Sequence, residues 1–292
     1  MKKSIGNIIG IMLAIAVGVG VAFAGSQGSV QVGGFPLFAL LIIAAYLVQW
    51  IVFIVAYLQK SERFFDLTGS LTYISLATAA VLLIPQIDRQ AVLLLVVVVI
   101  WATRLGTFLF GRVLKQGKDD RFDEIKVSFT SFLLTWTLQG LWVTFTAAAA
   151  FAAITTANTR PLGWPALIGF IVWAFGYFFE LIADSQKNAF RGDPENKNAF
   201  IHTGLWAWSR HPNYFGEIVL WLGVAIIALP ALKGWALVTL ISPLWVILQL
   251  TVISGVPMLE KKADKKWGGQ ADYEAYKAST PVLIPRPPEK HT

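Results

Sequence analysis

Apolar residues run along this chain in long blocks separated by short polar stretches. A membrane-spanning helix needs roughly 20 apolar residues. The blocks at 5–24, 37–59, 68–85, 91–110, 127–153, 164–183, 213–232 and 235–256 therefore predict eight spans. No strand is predicted and no internal repeat is visible, so the expected fold is all-α, a polytopic membrane helix bundle. Residues 25–36, rich in Gly, Ser and Gln, read as a flexible connector. The tail after residue 257 sets Trp267, Tyr273 and Tyr276 among Lys and Asp and reads as an interfacial anchor. The pattern thus divides the chain into an N-terminal span and connector (1–36), a seven-span membrane domain (37–256) and an amphipathic tail (257–292). The first span has a second reading as a signal peptide. Lys2 and Lys3 precede the apolar run, and Ala22-Phe23-Ala24 before Gly25 resembles a cleavage site.

Composition supports the membrane class. Only 14% of the 292 residues are charged, where a soluble domain carries about 25%, and the mean hydropathy is +0.62. There is no cysteine, which excludes disulfides, thiolate catalysis, zinc–thiolate sites and iron–sulfur clusters. The histidines are His202, His211 and His291, the last in a polar tail, so no multi-histidine metal site is expected.

Lys and Arg divide unevenly between the two sets of connections. One side receives Lys2, Lys3, Lys60, Arg63, the 111–126 and 184–211 loops and the 261–266 segment; the other receives Arg89, Arg160 and Lys233. This asymmetry places both termini in the cytoplasm, with an inner membrane as the site. The net charge of +7 then records topology and an anionic ligand, not nucleic acid.

Four polar clusters fall on that cytoplasmic side. They are 62–70, the stretch from Trp101 through 123, the stretch from Glu180 through Arg191, and Ser209-Arg210-His211-Pro212-Asn213-Tyr214-Phe215-Gly216-Glu217. Loops joining helices are polar in any case, but ionisable groups inside a span need a partner. Arg104 lies within an apolar block; unpaired in lipid it costs roughly 2.5 kcal/mol or more, so it faces protein, water, ligand or the interface. Glu180 and Asp184 are four apart on one helix face, and so are Asn213 and Glu217, just after Pro212 at a favourable helix start. An amide beside a carboxylate clamps a carboxamide, which offers both a donor and an acceptor. Arg104, Arg112, Lys115, Arg121, Lys187, Arg191 and Arg210 suit a polyanion, because guanidinium binds phosphate bidentately. Anionic lipid headgroups are the competing ligand, but they have no need of Asn213, Glu217, Asp184 or the rings of Trp206, Trp208 and Tyr214. No Gly-x-Gly-x-x-Gly follows a strand, so a Rossmann site is excluded.

Several motifs together resemble the steroid 5-alpha-reductase superfamily, specifically its bacterial uncharacterised-domain branch. They are Asp66-x-x-Gly69-Ser70, Arg104-Leu105-Gly106, Asp119-x-Arg121-Phe122, Gln139-Gly140, Glu180-x-x-Ala183-Asp184-x-Gln186-Lys187, and Gly204-Leu205-Trp206 through Glu217. The resemblance runs from about Asp66 to Pro285 and leaves the first span outside. It implies seven reductase-like spans and an NADPH-dependent reduction of a carbon–carbon double bond conjugated to a ketone in a steroid-like lipid. It also implies that Asn213 and Glu217 hold the nicotinamide end, that Asp184, Arg191 and Tyr214 line the cofactor, and that Arg104 and Arg121 lie near its phosphates. Lys187, Arg210, His211 and His202 complete the expected cofactor set, with His211 also a candidate helix cap and His202 a candidate interfacial residue.

One departure concerns the proton donor. The family's ketone-polarising acid corresponds to Asp66, but its tyrosine position, three residues before Arg104, is Trp101. Indole donates a hydrogen bond without delivering a proton. Tyr73, seven residues after Asp66 on the same helix face, is one substitute; a protonated Asp66 is the other. The Arg-His-Pro-x-Tyr run also occurs in integral membrane methyltransferases that use S-adenosylmethionine. That cofactor has no phosphate, so the cytoplasmic cations favour the reductase. A transporter or lipid-binding scaffold would show broken helices in matching halves, and no such symmetry is seen.

Overall fold

The computed structural model describes residues 2–117, 122–158 and 161–288. Helix α1 (Lys2–Gly25) leads into two short strands, β1 (Gln31–Val32) and β2 (Phe35–Pro36). These pair antiparallel, with Gln31 opposite Pro36. Residues 31–36 thus form a hairpin within the stretch expected to be a flexible connector. Gly33 and Gly34 both take positive φ, 60° and 83°, which a two-residue type I′ turn requires. Val30 N also donates to Thr155 O at 2.7 Å.

Helices α2 (Leu37–Leu58), α3 (Phe65–Leu83), α4 (Arg89–Gln116), α5 (Phe129–Thr146), α6 (Ala148–Thr155), α7 (Trp164–Gly192), α8 (Pro212–Ala228), α9 (Ser242–Leu248), α10 (Val256–Trp267) and α11 (Ala271–Ser279) follow. Among the described residues seven helices are long and apolar enough to cross a membrane, or eight if the α5–α6 pair counts as one bent span. The protein is an all-α polytopic membrane bundle.

The expected 127–153 span breaks at Ala147, with a bend of 58° between α5 and α6. The Ser242 hydroxyl donates to the Thr146 carbonyl, and a side chain entering the helical ladder at that point is a sufficient cause for the kink. The expected 235–256 span is also irregular: a 3-10 segment (Gly234–Ile241), α9 and a π segment (Gln249–Ile253) precede α10. Helix α7 runs to Gly192, well beyond the predicted end at 183, and carries Asp184, Lys187 and Arg191 out on one face.

The chain forms two compact units, residues 1–167 with 224–242, and 168–223 with 243–292. In the first, Phe53, Phe65, Phe122, Phe132 and Trp136 build an aromatic core. Buried polar side chains are tied across helices, as with Gln49 Nε2 to Thr72 Oγ1 at 2.9 Å and Tyr46 OH to Ala14 O at 2.8 Å. Asn7 Nδ2 donates to Ser131 Oγ at 2.9 Å, fastening α1 to α5.

In the second unit α7 and α8 approach closely through glycine. A Cβ on Gly216 would lie 2.6 Å from Glu180 N, and one on Gly223 would lie 2.5 Å from Trp173 N. Small residues let helix backbones approach this closely in a membrane, where burial of apolar surface supplies no drive.

Candidate functional site

The polar end of α7, the 203–211 turn, α10, α11 and the chain after Thr280 all belong to the second unit. Gln186 Oε1 accepts from Leu205 N at 2.9 Å, and Trp206 Nε1 donates to Ala183 O at 2.9 Å. These bonds fix the turn on α7. Gly204 sits at φ 60°, a left-handed backbone conformation that favours glycine. Lys187 Nζ lies 4.1 Å from the centre of the Trp206 ring.

The chain after Thr280 straps the next three residues. Arg210 N donates to Pro281 O at 2.9 Å and Arg286 N to Trp208 O at 2.9 Å. Fully buried Ser209 donates through Oγ to Leu283 O at 2.9 Å and accepts from His211 N at 3.1 Å. Pro212 then opens α8, where its missing N–H leaves no helical bond unmade.

Glu260 on α10 ties the strapped residues together. Its Oε2 lies 2.7 Å from Arg210 NH1 and its Oε1 lies 2.8 Å from His211 Nε2. The His211 ring stacks on Tyr214 at 5.6 Å with planes 10° apart. Burial pushes the His211 imidazole below its ordinary value, and the hydrogen bond with Glu260 opposes only part of that shift.

These elements enclose a cavity of about 860 Å³. Among the described residues its cationic lining comprises Lys187, Arg191, Lys197, Arg210, Lys262, Lys265 and Lys266, against Asp193 and Glu260 as acids. Its aromatic lining includes Phe200, Trp206, Trp267, Tyr273 and Tyr276. Tyr276 OH donates to Trp206 O at 2.7 Å, and Trp267 Nε1 donates to Asn198 O at 2.7 Å. The tail aromatics Trp267, Tyr273 and Tyr276 surround Phe200 at ring separations of 5.2 to 6.0 Å.

Four of the sequence-predicted cofactor residues, Lys187, Arg191, Arg210 and His211, line this cavity. Asp184 is buried one turn before Lys187, and Tyr214 backs His211. Asn213 and Glu217 lie on the first turns of α8 but not among the lining residues, and Asn213 Oδ1 is buried with no hydrogen-bond partner among the described residues. His202 is exposed, its Nδ1 3.2 Å from Phe200 O.

The remaining predicted residues belong to the first unit. Asp66 lies 3.7 Å from Arg112 NH2. Tyr73 and Trp101 meet edge to face at 5.1 Å, and the Tyr73 hydroxyl donates to Trp142 O at 3.3 Å. The Arg104 guanidinium lies 5.9 Å from the centre of the Phe108 ring. Arg121 lies outside the described residues.

Sequence reasoning did not find Glu260, Ser209, Phe200, or the lysines and rings of α10 and α11 as site residues. One signal was present: Lys262 and Lys266 share a helix face at a spacing of four.

The cations and the aromatic rings of the lining are interleaved, with Lys187 over Trp206 and Lys266 over Trp267, and such a lining has groups that can meet both a phosphate and a flat ring. The Nδ1 atom of His211 and the Nε atom of Arg210 are buried with no hydrogen-bond partner among the described residues.

Over 93 residues the chain is 32% identical to a Delta(14)-sterol reductase of Mus musculus, covering 27% of this chain and 22% of that protein. Over 83 residues it is 34% identical to a "Probable O-methyltransferase" of Ustilaginoidea virens, covering 28% of this chain and 29% of that one. The chain thus spans less than a third of either relative's length. No solved structure matches it. Residues 52–280 match the family described as "Protein of unknown function (DUF1295)". The chain belongs to this DUF1295 family, within the steroid 5-alpha-reductase-like superfamily.

Proposed function

We propose that the protein is an NADPH-dependent reductase of a conjugated carbon–carbon double bond in a steroid-like or other lipid enone. The observation that carries this reading is the excess of cations over acids on the lining of the second-unit cavity. A pyrophosphate with a further phosphate requires such an excess; S-adenosylmethionine, which has no phosphate, does not. The sterol reductase relative supports the same reaction class.

The chemistry supplied by bound NADPH is hydride donation to the β-carbon of the enone. Lys187, Arg191, Arg210 and the α10 lysines would hold its phosphates by charge-assisted hydrogen bonds. Asn213 and Glu217 would orient its carboxamide, and Asp184 and Tyr214 would support that wall. Asp66 would polarise the substrate ketone, and Tyr73, held against Trp101, would supply the proton at the α-carbon. Uneven distribution of Lys and Arg along the sequence supports a cytoplasmic cofactor site in a bacterial inner membrane.

The second reading is an S-adenosylmethionine-dependent membrane methyltransferase, favoured by the methyltransferase relative and by the shared Arg210-His211-Pro212-x-Tyr214 run. Native mass spectrometry of the purified protein separates the two. Co-purified NADP(H) supports the reductase, and co-purified S-adenosylmethionine or its demethylated product supports the methyltransferase.

A further inference from the structure

We propose that Lys197, Lys262 and Lys265 form an anion seat at the rim of the second-unit cavity, suited to a phosphomonoester: the additional phosphate that distinguishes NADPH from NADH. This rests on the nucleotide reading of that cavity. All three lysines line the cavity and are exposed. Lys262 and Lys265 are three apart on α10 and share a helix face. Lys197 follows the short turn Pro194–Asn196. Two bonds hold α10 against that segment. Lys266 Nζ donates to Lys197 O at 3.1 Å, and Trp267 Nε1 donates to Asn198 O at 2.7 Å. The fold therefore gathers ammonium groups from two separate stretches of chain at one rim.

Other cations of the cavity are engaged by the protein. Arg210 NH1 lies 2.7 Å from Glu260 Oε2, its side chain 12% exposed. Lys187 lies 4.1 Å from the centre of the Trp206 ring and Lys266 4.6 Å from that of Trp267. No ion pair among the described residues engages Lys197, Lys262 or Lys265. Like charges gathered without an acid repel one another, and a bound anion removes that cost. A phosphomonoester carries a charge of about −1.5 to −2 at neutral pH, more than either phosphorus of a pyrophosphate diester. Ammonium groups are compact point charges that can converge on such a group without a fixed fork geometry. An exposed rim suits a group that branches from the body of the ligand, as the 2′-phosphate of NADPH branches from its ribose. The terminal phosphate of phosphatidate is the other source of the same chemistry.

The test is calorimetry on the full-length protein in detergent, with NADPH, NADH and short-chain phosphatidate as ligands. The variants are the double substitution Lys262→Gln/Lys265→Gln, Lys197→Gln, and Arg286→Gln. Arg286 is exposed and outside the cavity lining, so its removal measures the general effect of one lost charge. The double variant is expected to lose about tenfold in NADPH affinity, while NADH affinity stays within about twofold, as for two exposed charge contacts. Lys197→Gln should show a smaller loss of the same kind. Lys262→Arg/Lys265→Arg keeps both charges and should keep most of the preference for NADPH. Equal losses for NADPH and NADH would assign the lysines to general attraction and overturn the proposal. So would an unchanged preference in the double variant, or an effect of Arg286→Gln as large as that of Lys197→Gln. Phosphatidate binding that the double variant loses while it keeps the preference for NADPH would give the seat to lipid and also overturn the proposal. If the wild type binds neither nucleotide, the nucleotide reading itself falls, and the seat falls with it.

Discussion

One carboxylate on α10, Glu260, holds both His211 and Arg210, at 2.8 and 2.7 Å. The two held residues are adjacent in sequence, yet their common partner lies about fifty positions away. Glu260→Ala leaves a guanidinium and an imidazole without their shared acceptor. The expected loss is about 1–3 kcal/mol, read as a lower thermal midpoint in detergent. A midpoint equal to the wild type's would show that the pairing contributes nothing to the fold.

The buried state of His211 makes a pH prediction. Burial holds its folded-state pKa below the ordinary imidazole value, about 6.5. Between the folded and unfolded values the unfolded chain binds more protons, so stability rises with pH across that window and levels off above about 6.5. Acidification below 6.5 therefore destabilises the protein through this group. The slope of thermal midpoint against pH between 5 and 7 should be shallower in His211→Phe. An identical slope in the variant would assign the pH dependence to other groups.

Removal of the strap should loosen the site without dissolving the bundle. A chain ending at Thr280 loses the acceptors on Pro281 and Leu283 that hold Arg210 N and Ser209 Oγ. NADPH binding is expected to weaken by about tenfold, corresponding to one or two lost hydrogen bonds. Ser209→Ala should weaken it less, because the backbone bonds remain. Full affinity in the truncated chain would remove the strap from the account.

The glycine contact between α7 and α8 carries a structural prediction. Gly216→Val places branched carbon where even a Cβ would sit 2.6 Å from Glu180 N. Backbone cannot yield as a flexible side chain does, so a cost of about 1–3 kcal/mol or more is expected. Folded yield and thermal midpoint report it. Wild-type values for both would mean that the helices lie further apart than described.

Asp66→Ala should abolish turnover of an enone lipid while NADPH affinity stays within about twofold, since a group acting on substrate is not needed for cofactor binding. Normal turnover would take Asp66 out of the chemistry.

The spans were legible because lipid imposes a length and a composition that local sequence displays directly. The Ala147 bend was not legible: no proline or glycine marks it, and the hydroxyl responsible, on Ser242, lies 96 residues from the carbonyl it meets. In the cavity wall, Lys187, Arg191, Arg210 and His211 were legible because charge within or beside an apolar block stands out. Glu260 was hidden among ordinary surface charges of a lysine-rich helix, and its significance arises only from what folds onto it. Trp267, Tyr273 and Tyr276 show the same limit. An aromatic residue on an amphipathic helix looks alike in sequence whether it meets lipid or, as here, a ring from the 199–202 turn.

Calorimetric titration of the purified protein with NADPH, NADH and S-adenosylmethionine tests most directly whether the cationic cavity takes a phosphorylated nicotinamide nucleotide. NADPH should bind more tightly than NADH, with the affinity reduced in Asn213→Ala and Glu217→Ala, and S-adenosylmethionine should not bind. Binding of S-adenosylmethionine with no detectable binding of NADPH would contradict the account.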